Sequence, residues 1–141
     1  MGVRLRVIGR VVRIETRSRI EIAGPYSDAL LGIEQFSHLI LLLWMHRSDT
    51  RKSRAILRVH PCADPENPLT GVFATRSPCR PNPIGVFVTR LQGREGNVLR
   101  IGEIDAFDGT PVLDIKPYIP ASDTIVEARV PGWVGRRGRP R

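Results

Sequence analysis

Apolar and polar positions alternate from the start of the chain: Val3 to Ile14 reads VRLRVIGRVVRI, apolar and basic residues in turn until Gly9 interrupts them. A period of two belongs to a strand, whose successive side chains point to opposite faces. The pattern predicts a strand with Val3, Leu5 and Val7 on a core face, Arg4 and Arg6 on the other, and a bulge or bend at Gly9. Ser18 to Ile22 repeats the alternation. Gly24-Pro25-Tyr26-Ser27-Asp28 is a turn, with Ser27 or Asp28 placed to cap one short helix through Ala29, Leu30, Leu31 and Ile33. His38 to His46, HLILLLWMH, is apolar almost throughout and predicts a central strand covered on both faces. Periodicity alone does not separate that from a buried helix, but the length favours a strand.

Further strands are expected over Ser53 to His60 and Gly71 to Thr75, separated by a loop from Pro61 to Pro68 that holds three prolines. Ile84 to Leu91 and Asn97 to Ile104 read as a hairpin joined by Gln92-Gly93-Arg94-Glu95-Gly96, and Pro111 to Ile115 as one more strand. Some seven strands with a single short helix predict a mainly β, single-domain barrel, closure of the sheet being the way to remove its edges. Residues 1–130 form this barrel domain, and 131–141 a basic, glycine-containing tail that is either a solvated end or a clamp on RNA.

A chain of 141 residues suits one domain. No apolar run approaches the roughly 18–20 residues that span a bilayer, and Arg4, Arg6, Arg10 and Arg13 break up the only stretch resembling a leader. The expected location is the cytoplasm, with no membrane partner. The net charge of +8 is almost wholly arginine, Lys52 and Lys116 being the only lysines among 22 basic residues. Guanidinium groups pair with phosphate and stack on bases, which suits RNA. A genomic or thermal preference for arginine would give the same composition. Cys62 and Cys79 read as free thiols. No Cys-x-x-Cys is present to make a zinc site with His46 and His60, so no metal is expected.

Two segments carry candidate chemistry. In Gly71 to Val86, GVFATRSPCRPNPIGV, the prolines at 78, 81 and 83 fix their own φ and restrain the residue before each. Arg76, Arg80 and Asn82 are thereby held with little entropy left to lose, either as a preorganised site for an anionic or planar ligand or as a stiff barrel corner with solvated arginines. In Gly102 to Tyr118, GEIDAFDGTPVLDIKPY, Asp108 starts a turn and is expected to bond its own backbone two residues on. Asp105 is placed to face a cleft and accept from a ribose hydroxyl or an amine. Asp114 and Lys116, two apart on one strand face, read either as part of a site or as an ion pair.

These segments resemble the TrmO-like (TsaA or YaeB type) S-adenosylmethionine-dependent methyltransferases. The likeness covers Ile33 to Pro120 closely and is carried by GIEQFSHL from Gly32 to Leu39, the apolar strand ending in His46, GVFATRSPCRPNPIG from Gly71 to Gly85, and DGTPVLDIKPY from Asp108 to Tyr118. The resemblance implies a β-barrel that holds S-adenosylmethionine outside any Rossmann framework and assembles as a homodimer. It also implies methylation of the exocyclic nitrogen of threonylcarbamoyl-adenosine beside the tRNA anticodon. By matching motif, His46, Arg47, Arg76, Val86, Ile104 and Asp105 would contact the cofactor, while Arg80, Asn82, Lys116 and Tyr118 would shape the site or hold the acceptor. Asp105 or Asp114 would take the proton released by the amine. The chain departs from the family pattern near its start, where Ile14 to Arg19 passes almost directly from one strand to the next without the longer Pro-Arg-Gln-like loop of relatives. A small-molecule acceptor, or a non-catalytic barrel that binds RNA, are the competing readings.

Overall fold

The computed structural model describes residues 1–135, so Arg136 to Arg141 of the predicted basic tail lie outside the described residues. Eight strands follow one another along the chain: β1 (Gly9–Ile14), β2 (Arg17–Ile22), β3 (His38–Trp44), β4 (Arg58–Val59), β5 (Thr70–Gly71), β6 (Ile84–Glu95), β7 (Val98–Ile101) and β8 (Pro111–Pro117). Six of them close a barrel in the order β1-β2-β7-β6-β3-β8, while β4 and β5 form a separate ribbon. Every described pairing is antiparallel. The predicted mainly β, single-domain barrel is the architecture found.

Alternation builds the interior. Leu39, Leu41 and Leu43 of β3 point inward and are fully buried, meeting Val11 of β1, Ile20 of β2, Leu99 of β7 and Val112 of β8. Full burial of one such side chain is worth about 1.5–3 kcal/mol, so this ring is the principal stabilising feature of the barrel. The intervening Ile40, Leu42 and Trp44 face outward and are only half-buried, so β3 is covered on one face rather than two.

The first strand is shorter than its alternation suggests. It begins at Gly9, because β8 pairs with β1 only at Gly9 and Arg10 and β2 ends opposite Gly9. Val3, Leu5 and Val7 are therefore 84%, 57% and 56% exposed rather than on a core face. A period-two sequence without a neighbouring ladder has nothing to bury against. Gly9 itself is required by close approach, since a Cβ there would overlap the Glu21 carbonyl oxygen on β2.

The expected short helix is instead two 3-10 segments, Gly24–Leu30 and Ile33–Gln35, separated by Gly32 at φ 86°. Neither Ser27 nor Asp28 caps them; the Ser27 hydroxyl donates back to the Gly24 carbonyl at 2.7 Å. The strand expected over Ser53 to His60 also shrinks, because the Thr50 hydroxyl accepts from Ser53 N and starts a helical turn, α1 (Arg51–Arg54). A second such turn, α2 (Pro120–Asp123), follows β8. After β5 the chain enters a 3-10 turn at Val72–Ala74 in place of continuing as strand to Thr75. In the hairpin, β6 runs on through a bulge between Leu91 and Gly93 to Glu95, leaving only Gly96-Asn97 as the turn, with Gly96 at φ 58°. Among the described residues no helix is long and apolar enough to cross a membrane.

Candidate functional site

The loops predicted to carry chemistry meet where β3 ends. Met45 N donates to the Pro83 carbonyl at 2.7 Å, joining the strand end to the proline-rich loop, and the chain then turns through His46–Ser48. The Arg47 guanidinium lies 3.8 Å from the centroid of the Phe107 ring, a cation–π contact across to the segment preceding β8. His46, Arg47, Pro78, Phe107 and Thr110 enclose a cleft of about 50 Å³. The Nδ1 of His46 is buried there without a hydrogen-bond partner in the protein. Such an atom has lost its water without compensation, and a ligand that supplied a partner would recover that loss.

The segment from Gly102 to Thr110 is fixed from β1. Arg13 Nη1 donates to the carbonyls of Ile104 and Ala106, each at 3.3 Å. Asp108 accepts from Arg13 N at 2.8 Å, so its carboxylate serves β1 and not its own turn; the turn is closed by the Thr110 hydroxyl donating to the Phe107 carbonyl. Ile104 is buried in the barrel core, leaving its neighbour Asp105 exposed and free of ion pairs.

The proline-rich loop divides its arginines. Arg80 turns inward and donates to the carbonyls of Thr75 and Ser77 at 3.1 and 2.8 Å, while the Ser77 hydroxyl accepts from Cys79 N. Arg80 is thus occupied in shaping the loop. Arg76 is exposed and engages no other group among the described residues, so its guanidinium is available to an anion. Asn82 accepts from Arg54 Nη2 at 3.2 Å, and Arg54 Nε donates to the Pro81 carbonyl at 2.8 Å.

Arg54 escaped the sequence reading, which placed it in a strand. It pairs with Asp49 at 3.0 Å, Asp49 in turn accepts from Trp44 Nε1 at 3.1 Å, and the guanidinium sits 5.4 Å over the Trp44 ring. Hydrogen bonds from Arg54 and then Trp44 hold the Asp49 carboxyl below the usual carboxylate range. The Thr50-x-x-Ser53 cap was the available signal for this clip, since it turns Arg54 back towards the loop.

The remaining predicted residues stand on the outer face of the wall formed by β6, β3 and β8. Register sets Leu42 between Val86 and Asp114, Ile40 between Val88 and Lys116, and His38 beside Arg90. Asp114 and Lys116 form an ion pair at 3.0 Å, and Asp114 also accepts from Ile115 N. Tyr118 meets the His38 ring edge-on at 6.5 Å and shares a hydrogen bond with Thr124. The geometry thus gathers His46 and Arg47 with Phe107 past the end of β3, and sets Val86, Asp114, Lys116 and Tyr118 on the wall. A larger cavity, about 430 Å³, lies at the seam between Ile8 and β8 under the 3-10 segments, and of the predicted site residues only Asp114 lines it.

Comparison with known proteins places these features in a family. The profile of the tRNA-methyltransferase O N-terminal domain matches residues 9–124. A probable S-adenosyl-L-methionine-binding protein of Pyrococcus abyssi is 48% identical over 115 residues, covering 82% of this chain and 59% of its own. A protein of the same description from Methanocaldococcus jannaschii is 42% identical over 114 residues, covering 81% of this chain and 90% of its own. The crystal structure of TrmO from Pseudomonas aeruginosa superposes with a TM-score of 0.69 at 36% identity, covering 92% of this chain and 62% of that one. The chain therefore spans about three fifths of the Pyrococcus abyssi relative and of that crystal structure.

Proposed function

The chain belongs to the family of the tRNA-methyltransferase O N-terminal domain, and from that membership we propose that it binds S-adenosylmethionine and methylates the exocyclic nitrogen of a modified adenosine, threonylcarbamoyl-adenosine, beside the tRNA anticodon. The observation that carries the cofactor reading is the cleft at the end of β3, with its unpartnered His46 Nδ1 and the stacked Arg47 and Phe107. Arg76 and Asp105 lie two residues from Pro78 and Phe107, which line it, and the groups on these segments suit the cofactor's chemistry. A free guanidinium at Arg76 answers a carboxylate, a free carboxylate at Asp105 answers an ammonium or ribose hydroxyls, and the Phe107 ring gives an aromatic surface.

When bound, S-adenosylmethionine supplies an activated methyl group, so the protein's task is to align the acceptor nitrogen and exclude water. Transfer to an amine releases one proton. Asp105 is the better placed acceptor for it, because Asp114 is engaged by Lys116 and by Ile115 N. Arg80 and Asn82 act as positioning residues, keeping the loop that carries Arg76 in one shape.

A cleft of about 50 Å³ is too small for the whole cofactor, since small-molecule sites usually enclose roughly 300 Å³ or more. The missing volume is best supplied by a second copy of the chain. Ile84, Val86 and Val88 form a row that is 38%, 41% and 50% exposed on the outer wall, flanked by Ile40, Leu42 and Trp44. A homodimer seated on this row covers apolar surface and encloses Val86, one of the residues expected at the cofactor.

Incubating the protein with unfractionated tRNA and methyl-labelled S-adenosylmethionine, followed by mass spectrometry of the nucleosides, tests the activity. Label in the threonylcarbamoyl-adenosine is expected; its absence from every nucleoside removes the methyltransferase reading. Calorimetry tests the site separately: Arg76→Ala is expected to weaken S-adenosylmethionine binding by roughly tenfold or more, as loss of a charge-assisted hydrogen bond does. A second reading has one observation in its favour. The β1–β2 connection is only Glu15-Thr16, with Glu15 at φ 55°, so this chain lacks the longer loop there and would act as an RNA-binding barrel without catalysis. Tight tRNA binding with no methyl incorporation would decide for it.

A further inference from the structure

The outer face opposite the apolar wall is made of arginine. On β1, β2 and β7 the outward positions include Arg10, Arg17, Arg19 and Arg100, all exposed. Register places Arg19 of β2 directly across from Arg100 of β7. Like charges facing each other on neighbouring strands oppose folding, so this pair is an arrangement that the isolated barrel does not benefit from. Glu21 relieves part of the charge by accepting from Arg10 and Arg19, each at 3.0 Å. Arg17 and Arg100 have no carboxylate partner among the described residues.

The seating of Arg100 is itself specified. It lies across from Gly93 of β6, next to the bulge, and a Cβ on Gly93 would overlap its guanidinium. The glycine leaves room for the guanidinium of Arg100 to extend over β6. Arg100, Arg19 and Arg17 thus bring three forked donor groups to one outward face, with Glu21 and Glu95 at the end of it where both flank Val98.

We infer that this face of β1, β2 and β7, centred on the Arg19–Arg100 pair, is the surface that holds the phosphate backbone of RNA. The inference rests on the tRNA reading above and adds to it where on the barrel the polynucleotide lies. Phosphate is the partner that turns the like-charge pair from a cost into an attraction, and guanidinium planes also stack on unpaired bases. Arg19 and Arg100 point outward and neither lines the cleft at the end of β3, so their role is separable from cofactor binding.

Fluorescence anisotropy with labelled unfractionated tRNA tests this on the full chain. The Arg19→Gln/Arg100→Gln double variant is expected to lose at least tenfold in affinity near physiological salt. Its plot of log affinity against log salt is expected to flatten by roughly 1.5, about two phosphate contacts' worth. Its melting temperature should hold or rise by roughly one or two degrees, because a repulsion has been removed. S-adenosylmethionine affinity should be unchanged. Arg51→Gln/Arg58→Gln removes the same charge elsewhere and should cost at most a few-fold. Equal losses in both double variants, or none in the first, overturn the assignment of this face while leaving the tRNA reading in place. Failure of the unaltered protein to bind tRNA overturns both, and if it then binds anionic phosphatidylglycerol vesicles and the Arg19→Gln/Arg100→Gln variant does not, the face is assigned to a membrane surface instead.

Discussion

The barrel has two walls with the same inner surface and opposite outer ones. Leu39, Leu41 and Val112 on one side meet Val11, Ile20 and Leu99 on the other, all fully buried. Outside, β6, β3 and β8 present Val86, Val88, Ile40 and Leu42, whereas β1, β2 and β7 present Arg10, Arg17, Arg19 and Arg100. Inward residues answer to packing and are alike because any small barrel must fill its interior. Outward residues have no such duty, and their divergence is what the two proposals rest on: a second copy of the chain on the apolar side and a polyanion on the arginine side.

The sharpest way to break this comparison is to give the apolar wall a charge. Val86→Asp/Val88→Asp is expected to convert a dimer to monomer in sedimentation equilibrium and to weaken S-adenosylmethionine binding by more than about tenfold, since two carboxylates cannot be buried unpaired. A dimer that survives would place the interface elsewhere. The clip on this wall comes next. Arg54→Ala leaves Asp49 without its guanidinium and the Pro81 carbonyl without its donor, and should lower stability by about 1–2 kcal/mol in urea titration. Cofactor affinity should fall with it as the Arg76 loop loosens.

The smallest effect sharpens the arginine wall. Glu21→Gln frees Arg10 and Arg19 and should strengthen tRNA binding a few-fold at pH 7. Hydrogen bonding from Arg10 outweighs desolvation and holds the Glu21 carboxyl below its usual range. Its folded pKa is lower than its unfolded one, so the stability it adds is present above the ordinary carboxylate pKa and is lost only as pH falls through the depressed value. Unaltered protein should therefore bind tRNA with the same Glu21-imposed handicap at pH 7 and pH 5, and the advantage of Glu21→Gln should persist over that window.

Much of the molecule was legible in order along the chain. Alternation marked β2, an apolar run of strand length marked β3, and β-rich runs marked β6 and β8, while the proline-rich and Asp-Gly-Thr-Pro segments marked the loops that do meet past the end of β3. The misreadings share a cause. Val3, Leu5 and Val7 have a strand's pattern but no partner strand, and Ser53 to His60 has β-compatible residues but a capped helical turn at its start. In both, local sequence proposes and the availability of a hydrogen-bonded neighbour disposes.

By itself the sequence determined that His38 to His46 enters the core, because so long an apolar run has to be buried, whereas the choice of Leu39, Leu41 and Leu43 as its inward face came from the structure. It also determined the motifs that identify the family. Tertiary structure alone decided that Arg13 spans to the Ile104 and Ala106 carbonyls, that Arg54 holds the loop at Pro81, and that Arg19 faces Arg100. Each of these joins residues far apart in the chain, and such pairs exist only once strand order and register are fixed, quantities set by closure of the whole sheet and not by any one segment of it.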